Sequence, residues 1–182
     1  MLEELIIAGF GGQGVMSMGQ LLTYAGMIED KHVAYIPSYG PEMRGGTANC
    51  SVTISDREIS SPVFTEPSSV IIMNQPSLAK FEPMLKPGGL MLINSSLVSQ
   101  KAIRQDIRVL EIPGNEMAEK LGNGKVANIV LLGAYIEMTK VVTIDSIIES
   151  LKKVLPERRH NLIPLNRQAL ELGAEIVRKT TE

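Results

Sequence analysis

The sequence predicts an α/β fold: a three-layer sandwich in which helices cover both faces of a mostly parallel, mixed sheet. Three observations predict it. Short apolar runs at Leu5–Ala8, Ser69–Met73 and Leu90–Ile93 have the composition of strands buried on both faces. Between them, small and apolar residues recur at helical spacing, as at Val15, Met18, Leu22 and Ala25. One further stretch alternates Ala48, Cys50, Val52 and Ile54 with Asn49, Ser51 and Thr53, the period of a half-buried strand, and this makes the sheet mixed. At 182 residues the chain is long enough for one sizeable core, so a single domain over 1–182 is expected.

Taken in order, Leu5–Ala8 is a central parallel strand, and the helix after Gly14 ends near Glu29-Asp30. His32–Ile36 is the second strand, stopped by Pro37. Tyr39–Gly46 is a turn-rich loop leading into Ala48–Ile54. Asp56-Arg57 reads as a hairpin tip, with Glu58–Ser61 returning. Ser69–Met73 is followed by Asn74-Gln75-Pro76, a cap with proline in the first turn of a helix whose face is Leu78, Phe81 and Leu85. Leu90–Ile93 and Ile107–Ile112 complete the strands, and Glu116–Leu121 is a short helix closed by Gly122. Val126–Met138 is apolar on nearly every side and belongs deep in the protein; Gly133 and Ala134 permit close packing. Thr143 caps a helix striped with Ile144, Ile147, Ile148, Leu151 and Leu155 and stopped by Pro156. The last helix, Leu165–Arg178, presents Leu165, Ala169, Leu172 and Ile176.

Composition excludes several classes. The net charge of -2 argues against nucleic acid or an anionic membrane as partner, since both favour a basic face. With no tryptophan, four tyrosines and three phenylalanines there is little to stack on bases. The single cysteine, Cys50, can form no internal disulfide and cannot hold an iron–sulfur cluster, which takes four thiolates. It reads as a small buried apolar residue. There is no secretory leader pattern and no apolar run of the roughly 18 residues a membrane span requires. A cytoplasmic protein is the expectation.

The residues that stand out are two glycine-rich stretches. Gly9-Phe10-Gly11-Gly12-Gln13-Gly14 follows the first strand and opens the first helix, and Gly9, Gly11 and Gly14 have the spacing of a dinucleotide fingerprint. Such a turn offers backbone amides and a helix dipole to an anion. The second stretch is Tyr39-Gly40-Pro41-Glu42-Met43-Arg44-Gly45-Gly46. The second strand ends in Pro37-Ser38 and lacks the acidic residue that holds the ribose of NAD, which counts against that cofactor. Arg44 has two readings, a grip on a carboxylate or phosphate, or an ion pair with Glu42 or a partner chain. Gln13 either reaches a ligand or caps the helix; Tyr39 either packs under the loop or lines a cleft. Both loops, with Asn74 and Asn94-Ser95-Ser96, fall at the carboxyl edge of the sheet, where ligands of such folds bind. His32 and His160 read as exposed or structural, and Asn128 as a buried amide in need of a partner. No nucleophile elbow, P-loop or metal-ligand cluster occurs, so neither catalytic residues nor a metal site are assigned.

These same residues resemble a known family. The Gly9–Gly14 motif, the run Ser38–Cys50, Ile59-Ser60-Ser61-Pro62, the Gly88-Gly89 turn and Asn128–Ala134 are similar to the γ subunit of 2-oxoacid:ferredoxin oxidoreductases. The similarity covers about Leu5 to Leu155. The resemblance implies a Rossmann-like domain in a multi-subunit enzyme that decarboxylates a 2-oxoacid, couples it to coenzyme A and passes electrons to ferredoxin. It implies thiamine diphosphate, Mg²⁺ and iron–sulfur clusters on the partner α, β and δ subunits. It also implies that Gly11–Gly14 and Tyr39–Gly46 face a shared site, with coenzyme A as a shared ligand. The Tyr39–Asn49 motif looks closer to the 2-oxoglutarate and branched-chain members, with 2-oxoglutarate ahead. A homodimer of the isolated chain is left open. Two other readings stand beside this one, a free-standing nucleotide-binding module and a purely structural assembly subunit.

Overall fold

The computed structural model describes residues 1–39 and 46–181. In chain order the elements are β1 (Leu2–Phe10), α1 (Val15–Ile28), β2 (His32–Tyr39), β3 (Thr47–Ser55), β4 (Ser69–Ile72), α2 (Gln75–Phe81), β5 (Leu90–Asn94) and β6 (Arg108–Ile112). Then follow α3 (Gly114–Lys120), α4 (Ala127–Thr139), α5 (Ile144–Val154) and α6 (Ile163–Thr181). The strands form one six-stranded sheet in the order β2-β3-β1-β4-β5-β6. β1, β4, β5 and β6 pair in parallel, while β3 runs antiparallel to both β1 and β2.

The doubly buried character of the apolar runs follows from this order. In β1, Leu5 and Ile7 join the core under α1, α4 and α5, while Ile6 and Ala8 join a smaller core under α2 with Leu78, Phe81 and Leu85. β5 divides in the same way, Leu90 and Leu92 on one face and Met91 and Ile93 on the other. The predicted caps are present: Asn74 accepts from Ser77 N–H at 3.0 Å, and Thr143 from Ser146 N–H at 3.2 Å. Each satisfies a donor that a helix start leaves open.

Three expectations are corrected. β2 does not stop at Pro37 but continues to Tyr39, with Pro37 opposite Cys50. It is an edge strand, where a residue without an N–H breaks no ladder. The hairpin is not at Asp56-Arg57; β2 and β3 pair with each other across the 40–46 segment, and both edges of β3 are already taken by β1 and β2. Glu58–Ser61 therefore has no strand to join and is irregular. β3 lies between β1 and β2, so the strand after α1 is not beside β1. Its end lies two inter-strand spacings away, about 9–10 Å, out of register with a dinucleotide fold.

The third correction concerns α6. Its deep face is Ala169, Leu170, Gly173, Ala174 and Val177, while Leu165, Leu172 and Ile176 are only half-buried. The reason is the contact with α4, which is fully buried from Ala127 to Ile136. A Cβ on Gly173 would overlap the Val130 carbonyl oxygen, and one on Gly133 would overlap the Leu170 carbonyl oxygen. The two helices touch backbone to backbone, so the contact selects small residues, not a large apolar stripe.

Candidate functional site

The site lies where β1 ends and α1 begins. Val15, Met18, Leu22 and Ala25 bury one face of α1 against the sheet, so its N-terminus is held at the carboxyl edge of β1. The turn between them is set by glycine at two positions that need it, Gly12 (φ 94°) and Gly14 (φ 78°). Gln13 clamps the turn. Its Oε1 accepts from Phe10 N–H at 2.6 Å, and its Nε2 donates to the Met73 carbonyl at 3.0 Å, tying the loop to the end of β4. A Cβ on Gly9 would sit 2.5 Å from that Gln13 Oε1 and 2.7 Å from Met73 Cβ. Gly9 thus makes room for the clamp. The N–H of Gly11 donates to the Gly46 carbonyl at 3.0 Å and brings the second glycine stretch against the first.

The result is a cleft of about 360 Å³ whose lining includes Gly11, Gly12, Gly14, Tyr39 and Gly46. Gly11, Gly12 and Gly14 of the first stretch meet here with Tyr39 and Gly46, the described ends of the second. Phe10, 37% exposed, and Tyr39, 59% exposed, also line it. No side chain caps α1, and its first turn holds no acidic residue, so the helix end keeps its affinity for negative charge. Nothing lies within 4 Å of a Cβ position on Gly12, so the backbone there is open to a ligand.

Several sequence-predicted residues fall elsewhere. Gln13 is occupied by backbone at both ends of its amide and lines a separate recess of about 210 Å³ with Asn115 and Lys125. Asn94 accepts from Gly114 N–H at 3.1 Å and donates to Asn115 Oδ1 at 2.8 Å, and Ser96 Oγ accepts from Asn115 and Glu116 N–H; all four contacts anchor α3. Asn128 Nδ2 donates to the Gly14 carbonyl at 3.4 Å, the partner that its burial demands. His160 Nε2 pairs with the Leu155 carbonyl at 2.9 Å. Gly40, Pro41, Glu42, Met43, Arg44 and Gly45 lie outside the described residues. Met16, Ser17, Thr47 and Ala48 also line the cleft; their signal in the sequence is position alone, each lying within three residues of a glycine motif.

Electrostatically the cleft is plain. Tyr39 is its only described residue with an ionisable side chain. Behind it, burial pushes the Cys50 thiol up to about 12, and burial with the neighbouring Cys50 and Tyr39 does the same to Tyr35. Cys50 Sγ instead donates weakly to the Val15 carbonyl at 3.6 Å. No group of three or more His, Cys, Asp or Glu able to hold a metal occurs among the described residues. No helix of the described residues is long and apolar enough to cross a membrane. The arrangement can hold an anionic ligand; its described side chains supply no general base or redox centre.

Comparison with known proteins places this geometry. The chain is 36% identical to the ketoisovalerate oxidoreductase subunit VorA of Methanothermobacter thermautotrophicus over 97% of its own length and 36% of that protein's. It thus spans about a third of the VorA relatives it matches. It is 34% identical to the 2-oxoglutarate synthase subunit KorC of Methanothermobacter marburgensis, over 97% of each chain. Its fold matches the crystal structure of the keto/oxoacid ferredoxin oxidoreductase γ subunit from Geobacter sulfurreducens PCA with a TM-score of 0.81 and 31% identity, covering 96% of this chain and 98% of that one. The family described as pyruvate ferredoxin/flavodoxin oxidoreductase matches residues 4–176, and to that family the chain belongs.

Proposed function

We propose that this chain is the γ subunit of a 2-oxoacid:ferredoxin oxidoreductase and forms one wall of a coenzyme A site completed by partner subunits. The observation that carries the reading is the meeting of both glycine motifs at one cleft, at a helix N-terminus without cap or carboxylate. That end suits a phosphate of coenzyme A, and Phe10 and Tyr39 offer apolar surface beside it. In this reading the chemistry falls to the α, β and δ partners, with their thiamine diphosphate, Mg²⁺ and iron–sulfur clusters. Coenzyme A then accepts the acyl group and ferredoxin the electrons. The substrate is 2-oxoglutarate, supported by the form of the Tyr39–Asn49 motif and by the KorC relatives; the VorA relatives make a branched-chain 2-oxoacid the second reading. The complex is cytoplasmic.

Affinity purification of the chain from its native cells, followed by dye reduction with several 2-oxoacids and coenzyme A, tests this. Co-purification of thiamine-binding subunits and highest turnover with 2-oxoglutarate are expected. Full activity of a reconstituted complex lacking this chain would refute the role.

A further inference from the structure

Beside the glycine cleft, between α1, α4, α5 and α6, lies a second groove of about 370 Å³. Leu21, Ile129, Leu151, Leu155 and Leu165 give it an apolar lining. Residues from the first turns of three long helices also reach it: Ser17 of α1, Asn128 of α4 and Asn166 of α6. None of these helices has an acidic residue in its first turn, and the N-terminus of α1 also lacks a side-chain cap. Two cations line the groove, Lys125 and Arg159, and no carboxylate does. Among the described residues neither cation has an ion-pair partner. Elsewhere on α5 and α6, Lys152 is paired with Glu149 and Arg167 with Asp145.

Two buried amides also border the groove. Asn128 and Asn166 are 7% and 8% exposed. Each spends its Nδ2 on a backbone carbonyl, Gly14 at 3.4 Å and Leu162 at 2.8 Å, and keeps its Oδ1 without a protein partner among the described residues. An apolar lining with unpaired positive charge at the same place is complementary to an amphipathic anion. The volume is at the small end of small-molecule sites, which suits an aliphatic acid and not a whole nucleotide.

We infer that this groove is a ligand site distinct from the glycine cleft, and that it takes a linear aliphatic carboxylate. The head group is held by Lys125 and Arg159, and the hydrocarbon arm lies on Leu21, Ile129 and Leu155.

Calorimetric titration of the full chain with octanoate, with octanol as the uncharged control, tests the assignment. Saturable octanoate binding is expected, weakened about fivefold by the Lys125→Gln/Arg159→Gln double substitution and weakened again by added salt. Both side chains are exposed and unpaired, so the double variant keeps its fold, as circular dichroism will report. Absence of saturable binding overturns the site, as does equal affinity for octanol or indifference to the double variant. Competition between coenzyme A and octanoate also overturns it, because the groove would then be an arm of the cleft. These readouts do not depend on dye reduction by the complex, so failure here leaves the oxidoreductase reading standing.

Discussion

The Gln13 side-chain amide donates to the Met73 carbonyl at 3.0 Å, across the gap between the ends of β1 and β4. This is where the chain leaves the sheet in opposite directions, α1 to one face and α2 to the other. Open α/β sheets place their crevices at such a point. The bond, with the Phe10 N–H to Gln13 Oε1 bond, makes the glycine turn a rigid floor for the cleft.

Replacing Gln13 with Ala leaves the Phe10 N–H and the Met73 carbonyl without that partner. The expected cost is about 1–2 kcal/mol, or a fall in Tm of about 3–6 °C. The KM for coenzyme A rises as the turn loosens. Calorimetry of the isolated chain and kinetics of the complex measure the two effects separately.

Gly173→Ala places a methyl against the Val130 carbonyl oxygen and forces α4 and α6 apart. About 3 kcal/mol or more of stability is lost. Gly88→Ala is the control, because its Cβ meets nothing within 4 Å and only the left-handed backbone (φ 75°) resists it. That costs about 1–2 kcal/mol. Urea unfolding curves at equal m-value rank the two; equal losses would show that the helix contact is not as tight as described.

The packing around these glycines shows what the sequence could and could not disclose. Strand β4, the Asn74 and Thr143 caps and the burial of α4 were legible because each rests on local pattern. Pro37 was read as a stop because nothing local says that β2 is an edge. In the α6 stripe Ala169 is buried as read, but Leu170, Gly173 and Ala174 also lie inside because the α4 backbone presses against Gly173. In the site, the glycine turn and Tyr39 were legible as motifs. The use of Gln13 as a clamp was not, since Met73 is 60 residues away.

Glu29 ties the end of α1 to the start of α5: its Oε1 accepts from Thr143 N–H at 2.7 Å and its Oε2 pairs with Lys31 at 2.9 Å. Burial alone would raise its pKa, but the hydrogen bonds from Lys31, Ser146 and Thr143 outweigh it and hold the carboxyl at about 2. A lowered folded-state pKa stabilises above the ordinary value of 4.5, and that stability is lost as pH falls from 4.5 towards 2. With solvent screening the contribution is of order 1 kcal/mol. Glu29→Gln is expected to be less stable than the parent at pH 7 and to converge with it near pH 2. A constant difference across that range would contradict the assignment.

Cys50 has no measurable exposure and its thiol is held near 12. Thiol reagents at pH 8 are expected to modify it only as fast as the protein opens, with rates rising steeply in urea. Prompt labelling of the native chain would mean that the core beneath Val15 is not closed.

The proposed coenzyme A site includes the cleft beside Tyr39. Its most direct test is the KM for coenzyme A of the assembled complex carrying Tyr39→Ala. Tyr39 is 59% exposed, so the substitution removes cleft surface with little effect on stability. The KM for coenzyme A is expected to rise about five- to tenfold, with an unchanged KM for the 2-oxoacid and unchanged assembly by size-exclusion chromatography. An unchanged coenzyme A KM in a normally assembled complex would contradict it.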